Sequence, residues 1–455
     1  MGRKVFLSVL GSTNYGSCYY VDNSLNYKSS ETRFVQEASL ELIKATEWPN
    51  DSTGFVFVTT GENGSFERNW EDNGHKDRAS KGVIINEGLN SRINRLNLSF
   101  EVKPIEIAHG NNEKEIWQIF DTIYSCLKSN DEVYFDITHG FRYLPMLVLV
   151  LNNYSKFLLN TSIKRITYGN FESRNLITNE APLIDLTSFS VLQDWTNGIN
   201  TFLKNGDAHL IKQLLENDTN QNVLNPTIVK QFANKLSEFS ELFSTIRGRK
   251  IVEGKIFNDL INLIKGMKRN VNIPQLNPLL EKINVEISKF KTSKDISNGI
   301  TAIDWCNKHG LFQQSITLLQ ENIVSLFIET YDNTFKGVIS AINDNNTNER
   351  KPNSKKEVRL YAASLLGIVN TDQSQAENRK GLAGNKCLKQ FTEYLLFEPF
   401  CSEFGALYQK ISHYRNSINH GGMIDDIQSK EFEEKATEFY SEIKGLILKK
   451  NNPCS

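Results

Sequence analysis

The sequence predicts an α/β domain followed by an all-α region, and three observations lead to this prediction. Upstream of Phe189, short apolar runs rich in β-branched and aromatic residues alternate with segments of helical periodicity. Downstream of it, the strand-like runs fade and amphipathic helical spacing continues to the end of the chain. With 455 residues, the chain is also long enough for two or three domains.

The first part of the chain contains strand-like runs bounded by turn residues, at Lys4–Gly11, Gly54–Gly61, Leu98–Ile107, Asp131–Gly140 and Ile163–Glu172. Helical patterns separate them, at residues 29–46, 81–96, 112–127 and 142–159. Ser30 is the N-cap candidate for the first of these helices. Because the strands are continuously apolar and alternate with helices, we expect a mostly parallel sheet that is covered on both faces.

The second part is predicted to be helical, with amphipathic segments at Ile228–Phe243, Gly310–Tyr331 and residues 253–270, 352–369 and 384–422. A polar, Asn-rich stretch at residues 342–356 predicts a loop. The pattern is interrupted at residues 189–203 and again at residues 292–307. We therefore predict three domains, at residues 1–195, 196–300 and 301–455.

The composition is typical of a globular protein without a general nucleic-acid-binding surface. Hydrophobic residues make up 39%, charged residues 23%, and the net charge is -1. A nucleic-acid site therefore has to be confined to a cleft. The six cysteines lack CxxC spacing, which argues against a zinc site or a disulfide framework and favours a reducing cytoplasm. The longest apolar run, residues 144–153, is too short to span a bilayer, so we expect no membrane anchor.

Polar, glycine-rich segments follow three of the predicted strands, at Gly11–Ser17, Thr59–Ser65 and Asp136–Arg142. Ligands bind at the carboxyl ends of the strands in parallel α/β sheets. Glycines let backbone N–H groups approach a phosphate closely, and Arg142 could pair with phosphate oxygens. Neither GxGxxG nor GKS/GKT is present, so a dinucleotide fold or a P-loop is not indicated. Ordinary turns, with His139 as a structural residue, remain an alternative.

A second candidate site is "RNSINH", Arg415 to His420, which two glycines follow. Metal-free RNA cleavage needs a proton shuttle, positive charge near the phosphorus and hydrogen bonds to its oxygens, which His, Arg and Asn can supply. Arg415 and His420 lie about 140° apart around a regular helix. A helix end at His420 with a glycine cap, or a second copy of the helix, would have to bring them together. Basic residues before glycine are also common at helix C-termini, and that alternative stays open.

Two motifs resemble a known family. "DITHGFR" (Asp136–Arg142) has the Asp-x-Thr-His-Gly pattern of a group of CRISPR-associated proteins, and "LGSTNYGSCYY" and "ITYGNFE" are similar to their neighbouring segments. Arg415 and His420, with Asn416 directly after the arginine, resemble the R-x4-H motif of HEPN ribonucleases, and Gly310–Phe327 resembles their first helix. Because the two motifs occur in this order, the chain resembles the CARF–HEPN ribonucleases, which are accessory proteins of type III CRISPR systems.

The resemblance implies a Rossmann-like CARF domain, a helical linker and an α-helical HEPN domain. It implies an endoribonuclease that uses no metal or cofactor, is activated allosterically by cyclic oligoadenylate, and cleaves single-stranded RNA in antiviral defence, leaving a 2′,3′-cyclic phosphate. The expected activator is cyclic tetra-adenylate, with cyclic hexa-adenylate second. A homodimer or a higher symmetric oligomer would bind one ring across its two-fold axis.

The residues that the resemblance implies form two sets. The ligand-binding set is Ser12, Thr13, Asn14, Tyr15, Thr138, His139, Gly140, Phe141 and Arg142. The catalytic set is Arg415, Asn416 and His420 from each of two protomers, with Glu321 as a residue that orients Arg415. Tyr15 and Phe141 could stack on adenine or serve only in packing.

Three alternatives remain at this point. The chain could be a nucleotide-sensing CARF module whose HEPN half is a catalytically silent dimerisation scaffold. The CARF loops could also cleave the ring. Finally, the chain could be a nucleotide-metabolising α/β enzyme with a helical cap.

Overall fold

The computed structural model describes residues 2–75, 86–216, 226–269, 274–344, 354–369, 388–421, 423 and 427–451. The chain divides into two compact units, and the division between Trp195 and Thr196 falls within the helix Thr187–Asn205. The first unit is built on a sheet and the second is helical, so the predicted fold class is confirmed. The separation of residues 196–300 from residues 301–455 stays a prediction.

An eight-stranded sheet forms the first unit, in the order β3-β2-β8-β7-β6-β1-β4-β5. The strands are β1 (Lys4–Val9), β2 (Tyr19–Asp22), β3 (Tyr27–Lys28), β4 (Thr53–Val58), β5 (Val102–Glu106), β6 (Glu132–Asp136), β7 (Ser162–Gly169) and β8 (Glu180–Asp185). Pairing is parallel from β7 through β6, β1 and β4 to β5, and between β2 and β8. The β7–β8 and β2–β3 pairs are antiparallel. The sheet is therefore mostly parallel, as predicted.

Three strands were not predicted, because their sequences carry weak signals. β2 and β3 contain only four and two residues, which is too short for a clear alternating pattern. β8 contains Pro182, and a proline within a run argues against a strand. These three strands continue the sheet beyond β7, through the antiparallel pair β7–β8, the parallel pair β2–β8 and the antiparallel pair β2–β3.

Helices cover both faces of the sheet, as predicted. Those of the first unit are α1 (Val35–Leu42), α2 (Leu89–Arg95), α3 (Glu113–Ser125) and α4 (Leu144–Leu159). Alternate residues of β1 enter two separate cores, because successive strand side chains point to opposite faces. Val5 and Leu7 pack with residues of α3 and α4, whereas Phe6 packs with residues of α1 and α2.

The prediction that Ser30 caps the first helix is wrong. Helix α1 begins at Val35, and its N-cap residue, Phe34, makes no side-chain capping hydrogen bond. The Ser30 hydroxyl instead donates to Glu41 Oε1 at 3.0 Å. The residues between Ser30 and Val35 are engaged elsewhere, since Thr32 pairs with Cys18 in an isolated β-bridge. That tertiary contact delays the start of the helix.

The helices from Thr187 onward are α5 (Thr187–Asn205), α6 (His209–Glu216), α7 (Pro226–Ser244), α8 (Gly248–Glu253), α9 (Lys255–Arg269), α10 (Asn277–Ile287), α11 (Ser297–Lys308), α12 (Phe312–Thr330), α13 (Asp332–Asp344), α14 (Ser354–Ile368), α15 (Lys389–Phe397), α16 (Pro399–Asn419) and α17 (Ser429–Asn451). Most of the predicted loop at residues 342–356 lies outside the described residues, and its described ends are helical. Across the described ranges, we find no helix with the length and apolarity needed to cross a membrane.

The predicted helical stretch at residues 384–422 is interrupted at Glu398. Its backbone is extended because Pro399 follows it, and a residue before proline is disfavoured in the helical region. Pro399 then occupies the first turn of α16. Backbone N–H groups in the first turn have no acceptor within the helix, so a proline there costs no hydrogen bond. Helix α16 packs against α12, with Phe327 and Phe400 stacked at a centroid separation of 4.9 Å. This packing fixes the element that carries the predicted catalytic residues.

Candidate functional site

The loops after β1 and β6 lie on either side of a topological switch point. In the sheet, β4 and β5 lie on one side of β1, whereas β6 and β7 lie on the other side. Because β1 pairs in parallel with both β4 and β6, the carboxyl ends of all three strands share one edge of the sheet. Such switch points are where ligands bind in open α/β sheets. The predicted ligand loops are thus placed side by side.

A direct side-chain contact joins these two loops. The rings of Tyr15 and His139 stack with centroids 4.1 Å apart and an angle of 22° between their planes. The Tyr15 hydroxyl lies so close to Gly11 that a Cβ atom there would be 2.5 Å from it. Tyr15 also meets Phe34 edge to face, with centroids 6.1 Å apart. Tyr15 is therefore a packing residue in this structure, whereas Thr13, Asn14 and Gly16 of the same loop are exposed to solvent.

Asp136 braces the loop that follows β6. Its side chain is fully buried and accepts hydrogen bonds from the hydroxyls of Ser8 (2.7 Å) and Thr138 (2.5 Å) and from the Thr138 backbone N–H (3.2 Å). Thr138 Oγ1 in turn accepts from the Gly169 N–H at 2.7 Å. Burial raises the pKa of Asp136 to about 6, although these hydrogen bonds oppose the shift. Thr138 therefore ties together the ends of β6 and β7.

His139 and Gly140 take special positions in the same loop. Burial lowers the pKa of His139 to about 4, so the imidazole is neutral at physiological pH. Its Nε2 atom is buried and has no hydrogen-bond partner among the described residues. Gly140 has a φ of +119°, and a Cβ atom there would lie 2.9 Å from both Val9 and Leu144. Asp136, Thr138, His139 and Gly140, the four specified positions of the Asp-x-Thr-His-Gly motif, therefore each have a structural role in this turn.

The remaining predicted ligand residues lie at the surface of the two loops. Thr13, Asn14, Gly140 and Arg142 are exposed, and Ser12 and Thr138 are half-buried. Phe141 stacks on Tyr143 with centroids 5.3 Å apart and an angle of 3° between the ring planes. Phe141, like Tyr15, already has an aromatic partner.

The helix end predicted at His420 is confirmed. Helix α16 ends at Asn419, and the His420 N–H donates to the Asn416 carbonyl at 3.0 Å. Gly421 follows with a φ of +63°, and its N–H donates to the Ile418 carbonyl at 3.0 Å. The second predicted cap residue, Gly422, lies outside the described residues.

The three predicted catalytic side chains differ in exposure. Asn416 and His420 are exposed, whereas Arg415 is half-buried and its Nε atom has no hydrogen-bond partner within the described ranges. In that part of the chain, no hydrogen bond joins these three side chains to one another. A single protomer therefore places them on one helix end without a hydrogen bond between them.

The prediction that Glu321 orients Arg415 is wrong. The Glu321 carboxylate accepts a hydrogen bond from Arg359 of α14 at 2.6 Å, and the same guanidinium donates to the Glu321 carbonyl and the Ser325 hydroxyl, both at 2.9 Å. The neighbouring Gln320 contacts α16 instead, donating to the Ser412 hydroxyl at 2.9 Å. Helical periodicity gives no information about which partner such a carboxylate takes from another helix.

The described residues contain no group of three or more His, Cys, Asp or Glu side chains arranged to hold a metal ion.

Residues 6–179 match the family model of the CARF domain of CRISPR system endoribonuclease Csx1. Residues 6–179 are therefore a Csx1-type CARF domain. Residues 191–298 match the second domain of CRISPR-associated protein MJ1674. These matches confirm the resemblance to CRISPR-associated CARF proteins, and they assign the switch-point loops to the CARF domain.

Two similar proteins show how far the likeness extends. CRISPR-associated protein MJ1674 of Methanocaldococcus jannaschii is 23% identical over 375 residues, covering 77% of this chain and 56% of that protein. The chain thus spans little more than half the length of this relative. The structure of Enterococcus italicus Csm6 bound to cyclic hexa-2'-fluoro-hexa-dAMP has a TM-score of 0.46 at 14% identity, covering 98% of this chain and 94% of that one.

Two residues that support the CARF site were missed by sequence reasoning. Asn69 is buried and donates through Nδ2 to the carbonyls of Gly11 (2.7 Å) and Thr13 (2.9 Å). Arg33 donates to the side-chain oxygens of Asn14 (3.0 Å) and Asn69 (3.2 Å). Both act from other segments of the CARF domain, and no local sequence pattern indicates that they would meet the first loop.

Proposed function

We propose that the chain is an endoribonuclease that is activated by cyclic oligoadenylate and cleaves single-stranded RNA in type III CRISPR antiviral defence. The observation that supports this proposal best is the contact between Tyr15 and His139, which joins two polar, glycine-rich loops at the switch point of a Csx1-type CARF domain. The ligand would lie over these loops, where exposed hydroxyl, amide and guanidinium groups can donate to phosphates.

The ring is proposed to bind across the two-fold axis of a homodimer, because a symmetric ligand suits two copies of the same loops. The helix that follows the second loop, α4, has an apolar outer face that includes Met146, Val150 and Phe157. Phe157 is 86% exposed. Exposed apolar faces of this kind mark protein–protein contact sites. Cyclic tetra-adenylate remains our first choice of activator and cyclic hexa-adenylate the second.

The proposed nuclease residues are Arg415, Asn416 and His420 from two protomers. An imidazole can move protons to and from the 2′-oxygen and the leaving 5′-oxygen. The Arg415 guanidinium and the Asn416 amide can stabilise charge on the phosphate oxygens as the phosphorus is attacked. Because no hydrogen bond joins these side chains in the described part of one protomer, we propose that the helix end of a second protomer completes the site. In this mechanism the side chains supply every catalytic function and no metal takes part.

A second candidate function is a CARF sensor whose helical half is a silent dimerisation scaffold. It is favoured by the partial burial of Arg415, whose Nε atom has no hydrogen-bond partner among the described residues. A half-buried guanidinium is less accessible to a substrate than one at the surface.

Two variants, Arg415→Ala and His420→Ala, separate these candidates. We expect each to lose RNA cleavage by at least about 100-fold, as removal of a general acid–base or of a charge-stabilising group does in other enzymes. Ring affinity, measured on the same preparations, should stay unchanged because the substitutions lie outside the CARF domain. Cleavage at the unaltered rate in both variants would support the scaffold and contradict the proposed nuclease site.

A further inference from the structure

The loop between β7 and β8, residues 170–179, borders the proposed ligand site but is not part of either predicted loop. It begins at the carboxyl end of β7, which lies at the same sheet edge as the ends of β1 and β6. Two hydrogen bonds tie it to the first loop and its continuation: Asn179 Nδ2 donates to the Ser17 carbonyl at 3.0 Å, and the Tyr19 N–H donates to the Asn179 carbonyl at 2.9 Å. This loop therefore has a fixed position beside the first ligand loop.

Phe171 and Arg174 of this loop stack on one another next to Gly16. A Cβ atom at Gly16 would lie 2.9 Å from Phe171 Cζ, so the phenyl ring packs directly on the backbone of the first ligand loop. The Arg174 guanidinium carbon lies 4.2 Å from the centroid of the same ring. Stacking on an aromatic face fixes the plane of a guanidinium and leaves its N–H groups free at the edge of that plane.

Arg174 has no ion-pair partner within the described ranges, in contrast to Arg165 and Arg92 of the same domain. Arg165 pairs with Asp22 and Asp185, and Arg92 pairs with Glu37 and Glu87. Arg174 is half-buried, its guanidinium stacks on Phe171, and its charge also lies near the Cys18 thiol, which is not an ion-pair partner. Its positive charge is thus oriented but not neutralised by the protein.

We infer that Arg174 binds a phosphodiester group of the cyclic oligoadenylate, with Phe171 as the residue that orients it. This inference rests on the proposed function, and it adds a third loop to the ligand site. A guanidinium matches two phosphate oxygens with two parallel N–H donors, and this geometry requires that its plane be held. Phe171 provides that support, and its contact with Gly16 places the pair beside the loop that contains Ser12, Thr13 and Asn14.

The test is a titration of the full-length protein with cyclic tetra-adenylate and cyclic hexa-adenylate at two salt concentrations. Arg174→Gln should weaken binding of the preferred ring by about tenfold or more, and the affinity should depend less on salt because a phosphate contact is lost. Arg174→Lys keeps the charge but not the planar fork, so an intermediate affinity is expected. Phe171→Leu should also weaken binding while leaving the salt dependence unchanged.

Arg95→Gln is the matched control, since Arg95 is an exposed arginine of the same domain that already pairs with Glu87. It should bind the ring as the unaltered protein does. Equal affinities for Arg174→Gln and Arg95→Gln would overturn the role of Arg174 and leave the proposed function standing. If the unaltered protein bound neither ring, both the inference and the proposed activation would be wrong.

Discussion

The imidazole of His139 lies flat against the phenol ring of Tyr15, so the loops after β1 and β6 form one unit. Neither loop can change its conformation without breaking this stack or moving the other. A ligand that displaces one loop therefore changes the environment of both. This coupling leads to the first prediction.

Replacing Tyr15 with leucine should weaken binding of the cyclic oligoadenylate by about three- to tenfold, the range expected for loss of one aromatic pair. Tyr15→Phe keeps the ring and should bind within about twofold of the unaltered protein. Isothermal titration of both variants with cyclic tetra- and hexa-adenylate measures the effect. An affinity for Tyr15→Leu equal to that of Tyr15→Phe would show that the stack does not organise the site.

His139 should make the CARF domain more stable as pH rises from about 4 to about 6.5. Its pKa is lowered to about 4 by burial, against an ordinary value of 6.5. Between these values the unfolded chain binds a proton that the folded domain does not, so the free energy of unfolding rises with pH by about 3 kcal/mol. Protection of the Val5 and Val133 amides from hydrogen exchange, compared between the unaltered protein and His139→Phe, measures this slope. Equal pH dependence in the two proteins would rule out a neutral buried imidazole.

Asp136 should make the CARF domain less stable as pH rises from about 4 to about 6, which is opposite to the effect of His139. Burial raises its pKa from 3.8 to about 6, so the folded domain keeps a proton that the unfolded chain has lost. The free energy of unfolding should therefore fall by about 3 kcal/mol as pH rises from about 4 to about 6. In the unaltered protein the two effects largely cancel.

Asp136→Asn should reveal the contribution of His139, with protection of the same amides increasing steadily from pH 4 to 6.5. The His139→Phe variant should show the reverse slope, and the double variant should show neither. A flat pH profile for Asp136→Asn would contradict the assignment of opposing shifts.

The Glu321–Arg359 pair is predicted to matter little for cleavage. Both side chains are well exposed, and exposed ion pairs contribute about 0–1 kcal/mol to stability. Glu321→Gln should therefore cleave RNA within about threefold of the unaltered rate, in contrast to Arg415→Ala. A loss of cleavage comparable to that of Arg415→Ala would indicate that Glu321 leaves Arg359 and contacts the reacting groups in the active state.

The sequence allowed the long elements to be predicted, because their periodicity reflects burial on one helix face or on both faces of a strand. Helices α7, α9 and α12 begin and end within a few residues of their predicted bounds. The Asp-x-Thr-His-Gly segment was predicted to follow a strand, and it lies at the carboxyl end of β6. This loop could be located from the sequence because the residues of the motif are contiguous in the chain.

What the sequence could not indicate were contacts between distant segments. Asn69 and Arg33 support the first loop from other parts of the domain, and Arg359 takes the carboxylate of Glu321 from another helix. The late start of α1 has the same origin, since the bridge between Thr32 and Cys18 overrides the local capping preference of Ser30. The partner of a side chain and the first residue of a helix both depend here on tertiary packing, which local sequence patterns do not encode.

The most direct measurement is cleavage of a fluorescent single-stranded RNA by the unaltered full-length protein. It should be run without a ring, with cyclic tetra-adenylate and with cyclic hexa-adenylate, each in the presence of a metal chelator. We expect slow cleavage without a ring and a strong increase with at least one of them, unaffected by the chelator. Absence of cleavage with both rings, or equal cleavage with and without them, would contradict the proposal of a ring-activated ribonuclease.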